Sequence, residues 1–391
     1  MKEVLFLSLP GIYLHIPFCT VKCPYCDFYS VAATQEAMEQ YTDALCRMLR
    51  QLPEEFPGLT ADTLYLGGGT PSLLGVKRLD RILEAASHSL HLSQDAEITL
   101  EANPGQMPPP FSDATISRET LGALRRSGFN RISFGLQSTD PFQLQFLGRR
   151  HSAAEGLQAA ELAFAAGFED INLDLMLGLE GQTEETISRS VQLCAQTPAN
   201  HLSAYLLKVE ENTRFYRQKV WERCPDEDRQ AQLYLYAVAQ MQQAGFIQYE
   251  ISNFAKNSRI SRHNFKYWDS IPYLGIGPAA HSFWNGKRFS IPRNWKAFAQ
   301  AHTLAELMQP EGEGGDGEEY LMLRLRLTQG VQAAALAQRH PEISWEQLCR
   351  QAKPYEKAGL LRMDPDPGQG FVSLTPSGFL VSNSLIAHLI G

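Results

Sequence analysis

Short β-like runs alternate with amphipathic helical stretches through the first two-thirds of this 391-residue chain, and this alternation constrains the fold most. The candidate strands are short apolar runs at 11–16, 63–66, 97–101, 131–134, 170–175, 201–206 and 248–251. The candidate helices, with apolar residues at helical spacing, are 36–52, 77–90, 117–127, 153–166, 184–196 and 227–244. A strand-then-helix repeat predicts a parallel sheet, open or closed as a barrel. With about six such units, we expect an α/β fold built on a full or partial (β/α) barrel.

An acidic, glycine-rich stretch separates this repeat from the end of the chain. Residues 310–319 contain five acids and four glycines, a composition that buries no apolar area and predicts an exposed loop or linker. Beyond it, helical patterns at 320–327 and 331–339, a strand at 371–374 and a last helix ending at 389 predict a small helical or winged-helix-like domain. We therefore divide the chain into a barrel domain, 1–305, and a C-terminal accessory domain, 306–391.

Composition and charge narrow the classes of function. The chain has 35 Lys and Arg against 43 Asp and Glu, a net charge of −8. It lacks the basic excess that neutralises phosphates, so no nucleic acid partner is expected. No window approaches the ~18–20 consecutive apolar residues of a membrane-spanning helix, so no integral membrane segment is expected. Residues 1–10 have one Lys and an apolar run too short for a signal peptide, so we expect a cytoplasmic protein.

The seven cysteines fall into two groups. Four are scattered and are interpreted as small buried hydrophobic residues rather than a disulfide framework: Cys46, Cys194, Cys224 and Cys349. The other three form a C-x₃-C-x₂-C motif just after the first strand: Cys19, Cys23 and Cys26. Thiolates are soft ligands that select zinc, copper(I) or iron–sulfur clusters.

Two kinds of metal site remain open for this motif. A zinc site would need a fourth ligand, which Asp27, His15 or a distant His could supply. On a 4Fe–4S cluster, three thiolates leave one iron without a protein ligand. That iron can bind a small molecule through an amine and a carboxylate.

The cysteine motif resembles the signature of radical S-adenosylmethionine (SAM) enzymes, in which a 4Fe–4S cluster cleaves SAM reductively to a 5′-deoxyadenosyl radical. The resemblance covers about residues 13–281. The opening Tyr13-Leu-His-Ile-Pro-Phe-Cys19 looks like that of the oxygen-independent coproporphyrinogen III oxidase group. Within that group, Cys26-Asp-Phe28 and His263-Asn-Phe-Lys-Tyr-Trp268 look like the heme chaperone branch.

The resemblance also implies which residues contact SAM. The segment Gly67-Gly-Gly-Thr-Pro71 follows a strand; by itself it indicates a flexible turn, but it matches the family motif whose backbone meets the SAM methionyl amine. Glu101 ends another strand, where barrels build active sites. The neighbours Arg149 and Arg150 are ambiguous, and the family spacing favours Arg149. The implied SAM contacts are Tyr13, Tyr25, Gly68, Gly69, Thr70, Glu101, Gln137, Arg149 and Asp174. Whether one or two SAM molecules bind is left open.

Two functions compete within this group. The oxidase pattern has a further cysteine two residues after the third, where this chain has Phe28. In the segment around His263, imidazole is a common axial ligand of heme iron, flanking aromatics suit a macrocycle, and Arg262 and Lys266 suit propionates. Without the family, the same segment indicates a surface loop with one hydrogen-bonded histidine. His281 is a second candidate ligand.

We therefore expect a heme chaperone that carries a 4Fe–4S cluster with exchangeable SAM. Its expected partners are heme, a heme-acceptor protein and a low-potential electron donor. The alternative is an oxygen-independent coproporphyrinogen III oxidase, which decarboxylates propionates of its substrate by radical SAM chemistry.

Overall fold

A computed structural model describes residues 9–105 and 115–391 of the chain. Residues 1–8, which carry most of the apolar run in the targeting prediction, lie outside the described residues. The strands, in chain order, are β1 (Gly11–Ile16), β2 (Phe18–Cys19), β3 (Val31–Ala32), β4 (Thr60–Gly68), β5 (His91–Ala102), β6 (Arg131–Gln137), β7 (Asp170–Leu177), β8 (His201–Leu206), β9 (Ile247–Gln248), β10 (Asn253–Ala255), β11 (Tyr273–Ile276), β12 (His281–Trp284), β13 (Lys287–Ser290), β14 (Gln309–Glu313), β15 (Val331–Gln332), β16 (Leu361–Asp364) and β17 (Phe371–Leu374).

The helices connect these strands and cover the sheet. They are α1 (Gln35–Glu55), α2 (Gly75–Ser89), α3 (Arg118–Ser127), α4 (Pro141–Phe146), α5 (Ala153–Ala165), α6 (Glu184–Ala195), α7 (Arg214–Arg217), α8 (Glu227–Gln243), α9 (Arg262–Trp268), α10 (Trp295–Gln300), α11 (Gly317–Arg324), α12 (Ala333–Arg339), α13 (Trp345–Lys357), α14 (Pro376–Leu380) and α15 (Ser382–Ile390).

Twelve of the described strands form one open sheet, in the order β14-β13-β12-β11-β1-β4-β5-β6-β7-β8-β10-β9. The strands from β11 to β8 in this order run parallel. The strands on either side of them are antiparallel. Parallel neighbours need a crossover connection, which here is a helix that buries its apolar face on the sheet. The predicted α/β class and partial (β/α) barrel are confirmed.

Local signals explain where elements begin and which side chains face the interior. At the start of α5, Ser152 and Glu155 form a reciprocal capping box. Along β4, Leu64 and Leu66 are fully buried in the hydrophobic core, whereas Tyr65 between them hydrogen bonds to the neighbouring strand. Because side chains alternate along a strand, polar side chains of successive strands collect inside the partial barrel.

Two sequence predictions about local structure are wrong. Residues 248–251 do not form one strand: β9 and β10 are separate, and Glu250 between them makes an isolated bridge to Leu327. Residues 310–313 are exposed as expected but belong to the edge strand β14, paired with β13, and residues 317–319 begin α11, with Gly317 buried. Backbone hydrogen bonds hold β14 without side-chain burial, so its composition carried no strand signal.

The C-terminal part combines helices α11–α15 with a three-stranded antiparallel sheet, β15-β17-β16, around its own hydrophobic core. This agrees with the helical, winged-helix-like prediction. Asp269 in the barrel accepts from both Arg324 and Arg339 and ties the two parts together. The boundary after residue 305 stays a prediction, and β14 continues the large sheet beyond it. Among the described residues, no helix has the length and apolarity to cross a membrane.

Candidate functional site

The ends of β1 and β4 lie side by side, and the glycine turn after β4 touches the chain that leaves β1. The amide of Gly69 donates to the carbonyl of Ile16 at 2.8 Å. A methyl group on Gly69 would lie 2.7 Å from the carbonyl oxygen of Phe18. Gly68 has a φ of 110°, and a methyl group there would lie 2.6 Å from the ring of His15. Both positions therefore require glycine, because the backbone must pass close to its neighbours.

The three motif cysteines lie on the segment after β1, which we call the cysteine loop, with Cys19 at the end of β2. Their thiols are free and partly exposed. The amide of Cys26 donates to the carbonyl of Cys23 at 3.2 Å. Thr70 Oγ1 lies 3.7 Å from Cys19 Sγ, and Arg149 Nη1 donates to Cys23 Sγ at 3.5 Å. Burial raises the pKa of Cys19, and it raises the pKa of Cys26 to about 11. The thiolate forms therefore need a bound metal or cation to compensate them.

The arrangement of these thiols bears on the kind of metal they suit. Within residues 9–105 and 115–391, no three Cys, His, Asp or Glu side chains surround a position for a metal ion. The thiols thus form no ready zinc site with Asp27 or His15. Three free thiols on one segment are ligands of the kind that iron–sulfur clusters take. Cys46 and Cys194 are buried in the hydrophobic core, away from the loop.

Arg149 links the cysteine loop to the neighbouring strand ends. Its Nη2 donates to Asn103 Oδ1 at 2.5 Å and to the carbonyl of Gly135 at 2.8 Å. Asn103 in turn donates to Thr70 Oγ1 at 3.0 Å, which frees the threonine hydroxyl proton for the sulfur beside it. Arg150 is exposed. The sequence analysis did not identify Asn103. Its position directly after β5, at the strand end where barrels build active sites, could have indicated it.

Glu101 lies inside the partial barrel at the end of β5. Tyr65 donates its hydroxyl proton to Glu101 Oε1 at 2.7 Å, and the amide of Gly68 donates to Oε2 at 3.0 Å. Burial, opposed by these hydrogen bonds and assisted by the charge of Asp174, raises the pKa of Glu101 to about 7. The site therefore holds a carboxyl group that is poised to ionise when a cationic ligand arrives.

Asp174 is the second interior carboxyl group, on β7. Asn172 Nδ2 donates to its Oδ1 at 2.8 Å, and Ser133 Oγ donates to its Oδ2 at 3.3 Å. Burial raises the pKa of Asp174, while these hydrogen bonds and the charge of Arg149 oppose the rise. Two carboxyl groups thus share a low-dielectric interior that has a guanidinium group at its cysteine end.

A chain of buried hydrogen bonds holds Asn172 in place. Asn172 Oδ1 lies 2.6 Å from His201 Nδ1, and His201 Nε2 lies 2.8 Å from the Tyr249 hydroxyl. That hydroxyl oxygen accepts from the amide of Ser261 at 3.2 Å, so its proton points to His201 Nε2. His201 Nδ1 must then carry the proton donated to Asn172. Burial lowers the pKa of His201, which keeps the ring neutral. The two-residue spacing of Asn172 and Asp174 on one strand could have revealed this partner.

The remaining expected SAM contacts lie around the same end of the sheet. Gln137 ends β6 at a register shift and has a φ of 70°, which is uncommon for a residue other than glycine. The Tyr13 hydroxyl lies 3.0 Å from His15 Nδ1 inside the partial barrel. Tyr25 lies on the cysteine loop with its ring centroid 6.1 Å from that of Phe215.

His263 lies near the expected SAM contact Tyr13, at 6.4 Å between ring centroids, but away from the cysteine loop. It begins α9 and packs against Thr63, which pairs with Gly11 at the start of β1, so it lies towards the opposite end of the parallel strands. His263 is 1% exposed, its Nδ1 lies 2.8 Å from Thr63 Oγ1, and its Nε2 lies 2.8 Å from the Tyr267 hydroxyl. Its ring stacks on Tyr65 at 5.1 Å. Burial lowers its pKa to about 3. Neither nitrogen is available to heme iron in this arrangement.

The basic residues beside His263 are also engaged. Lys266 Nζ lies 2.6 Å from Asp62 Oδ1, and Arg262 Nη2 lies 3.2 Å from Asp62 Oδ2. Arg262 Nη1 also lies 3.4 Å from Asp95 Oδ2. Both basic side chains therefore pair with acids in this arrangement, and the expectation that they meet heme propionates stays a prediction. His281 is exposed and pairs with Glu311 at 3.0 Å on β14.

Comparison with known proteins agrees with this geometry. Residues 13–194 match the model of the radical SAM superfamily, and residues 316–381 match the HemN C-terminal domain. Among solved structures, the coproporphyrinogen III oxidase HemN from Escherichia coli superimposes with a TM-score of 0.80 over 98% of this chain and 90% of that chain, at 20% identity. At that identity the match shows a shared fold.

Curated relatives are similar over nearly the whole chain. The heme chaperone HemW of Mycobacterium tuberculosis (strain ATCC 25618 / H37Rv) is 34% identical over 97% of this chain and 95% of its own. HemW of Bacillus subtilis (strain 168) is 31% identical over 98% of this chain and 100% of its own. HemW of Escherichia coli (strain K12) is 34% identical over 96% of this chain and 97% of its own. With the cysteine loop, the glycine turn and the interior carboxyl groups in place, this chain belongs to the HemW family of radical SAM proteins.

Proposed function

We propose that this protein is a heme chaperone that binds heme and passes it to an acceptor protein, while carrying a 4Fe–4S cluster with exchangeable SAM. The observation that carries the proposal is similarity through both parts of the chain to proteins named heme chaperone HemW. A low-potential electron donor and a cytoplasmic location belong to the same proposal. The scatter of free cysteines supports a reducing compartment.

In this proposal Cys19, Cys23 and Cys26 hold the cluster. Their thiols are free and partly exposed, and the Thr70 hydroxyl and the Arg149 guanidinium face the sulfur atoms. These donors stabilise thiolates, which supports ligation of iron. When bound, the cluster supplies an open iron position and one-electron reduction.

The SAM site in this proposal is lined by the glycine turn, Glu101 and Asp174. SAM carries an ammonium and a sulfonium group, and both carboxyl groups are acceptors with few competing cations inside the partial barrel. Because the pKa of Glu101 is raised to about 7, a cationic ligand that lowers it again should release a proton. The chain's part in binding is thus to desolvate, orient and neutralise SAM. Tyr13, Tyr25, Gln137 and Arg149 complete the proposed contacts.

The oxidase alternative predicts a different reaction from the chaperone proposal but the same fold. Phe28, where the oxidase group has cysteine, is 68% exposed on the cysteine loop. The resemblance to the HemN structure shows the fold alone and does not favour decarboxylation. The heme ligand expected at His263 stays a prediction, and ligation through either ring nitrogen would require breaking the hydrogen bond at that nitrogen.

The function is tested by anaerobic reconstitution followed by titration with heme and, in parallel, with coproporphyrinogen III. We expect saturable heme binding, transfer to an apo-hemoprotein and no decarboxylation. Cys19→Ser, which lacks a cluster ligand, controls for contaminating oxidase activity. Decarboxylation by the wild-type protein at enzymatic rates, absent from that variant, would overturn the chaperone assignment in favour of the oxidase.

A further inference from the structure

The burial of His263 raises the question of where a heme would first bind. Residues 208–223, which we call the rim segment, follow β8 at the same end of the parallel strands as the cysteine loop. The segment contains α7 and a short 3-10 turn, Val220–Glu222. The amide of Phe215 donates to the carbonyl of Pro24 at 2.9 Å, so the rim segment is hydrogen bonded directly to the cysteine loop.

The rim segment is a packed platform. Phe215 is 2% exposed and Val220 is fully buried. Both belong to a small hydrophobic cluster, separate from the main core, whose other buried members are Leu147, Met176, Leu179 and Leu207. The Thr213 hydroxyl caps α7 by accepting from the amide of Tyr216 at 3.2 Å. The side chains that the segment turns outward are therefore held on a fixed backbone.

Two of these outward side chains are aromatic. The rings of Tyr216 and Trp221 lie 5.2 Å apart at 52°, and the residues are 40% and 45% exposed. Lys219 between them has a φ of 49°, a left-handed conformation that residues other than glycine rarely adopt. Such conformations cluster at functional positions. It turns the chain so that Trp221 returns to Tyr216. Two exposed rings side by side offer a flat apolar face to a ligand.

The charge of the rim segment is opposite to that of the whole chain. It has five cationic and three acidic residues, whereas the chain has a net charge of −8. Lys208 and Arg223 form ion pairs with acids. The other three cations are exposed and form no ion pair within the described part of the chain: Arg214, Arg217 and Lys219.

We propose that the rim segment is a heme-binding surface, with the porphyrin face against Tyr216 and Trp221 and the propionates facing Arg214, Arg217 and Lys219. Heme is a flat apolar ring that bears two carboxylates, and the segment offers flat apolar rings next to unpaired cations. This inference rests on the proposed function and gives it a site. It places heme beside the cysteine loop.

The test is a heme titration of the full-length, cluster-containing protein, followed by its Soret absorbance. Trp221→Ala and Arg217→Glu should each weaken heme binding on the order of tenfold, as for residues central to an interface. The matched controls are remote and exposed: Phe164→Ala on α5, at a residue 59% exposed, and Lys353→Glu on α13. Both controls should leave the affinity unchanged, and His263→Ala is measured alongside them.

Two further measurements identify misfolded variants and separate the aromatic contacts from the charged contacts. Trp221→Phe should keep the affinity, and the visible cluster absorbance should survive in every variant, so that misfolding is recognised. With heme dimethyl ester, whose propionates are uncharged, Arg217→Glu should have no effect while Trp221→Ala still weakens binding.

The outcomes separate this inference from the function on which it rests. Unchanged affinity in Trp221→Ala and Arg217→Glu, with loss in His263→Ala, would overturn the rim site and keep the chaperone. Normal heme binding but impaired transfer in the rim variants would also overturn it and make the segment a partner surface. No heme binding by the wild-type protein would contradict the proposed function itself.

Discussion

Replacing Glu101 by Gln should stabilise the SAM-free protein at neutral and alkaline pH. The Glu101 carboxyl group has a pKa of about 7 in the folded chain, above its ordinary value of 4.5, and burial is the largest cause. The folded state therefore binds its proton more tightly than the unfolded chain does. Well below pH 4.5, the carboxyl group is protonated in both the folded and the unfolded chain and does not lower the unfolding free energy. As pH rises towards about 7, the wild-type protein loses stability, because only the unfolded chain can ionise freely.

The size of the effect follows from the pKa shift. A change from 4.5 to about 7 corresponds to about 3 kcal/mol of unfolding free energy. The side chain is only partly buried, so solvent screens the charge and we expect about 2 kcal/mol. Gln at this position can still accept from the amide of Gly68, and any change in the hydrogen bond to Tyr65 is independent of pH. The pH dependence therefore isolates the ionisation.

The measurement is urea unfolding of the metal-free, reduced protein from about pH 5 to about pH 8. The stability of Glu101→Gln relative to wild type should rise by about 2 kcal/mol across this range. Glu346→Gln, at a side chain 87% exposed, is the matched control and should give a constant difference. SAM affinity of the reconstituted Glu101→Gln protein should fall on the order of tenfold or more. A stability difference for Glu101→Gln that does not change with pH would refute the reasoning.

Three further outcomes are expected. Cys19→Ser should lose the iron–sulfur absorbance of the reconstituted protein, whereas Cys46→Ala should keep it; loss of iron from the second variant would contradict the ligand assignment. Asn172→Ala should weaken SAM binding on the order of tenfold in calorimetry, with cluster content unchanged, because Asp174 loses its 2.8 Å hydrogen-bond donor. Unaltered affinity would contradict a contact between Asp174 and SAM. Gly69→Ala should lower unfolding stability by about 1–3 kcal/mol and reduce iron content, because its methyl group meets a carbonyl at 2.7 Å; a protein that is as stable as wild type would contradict the required close approach.

Much of the barrel and the cysteine loop could be predicted because both depend on spacing along the chain. Strand and helix periods are local, so the parallel core followed from alternation of the two. The motif Cys19, Cys23 and Cys26 is local as well, and so is the two-residue spacing of Asn172 and Asp174. In contrast, the antiparallel edge strand β14 was missed, because backbone pairing alone holds it and its acidic, glycine-rich composition is that of a loop.

The tertiary structure decided the hydrogen-bond partners and the protonation of each polar side chain. The family resemblance predicted a heme ligand at His263, but the burial of this side chain and its hydrogen bond to Thr63 depend on residues 200 positions apart. In the same way Arg149 reaches Cys23 over 126 positions and so is distinguished from Arg150. A sequence presents donors and acceptors, whereas only packing assigns partners and removes water. Because desolvation and partnering set whether a histidine can bind iron or a carboxyl group can hold its proton, those properties emerge only in the folded chain.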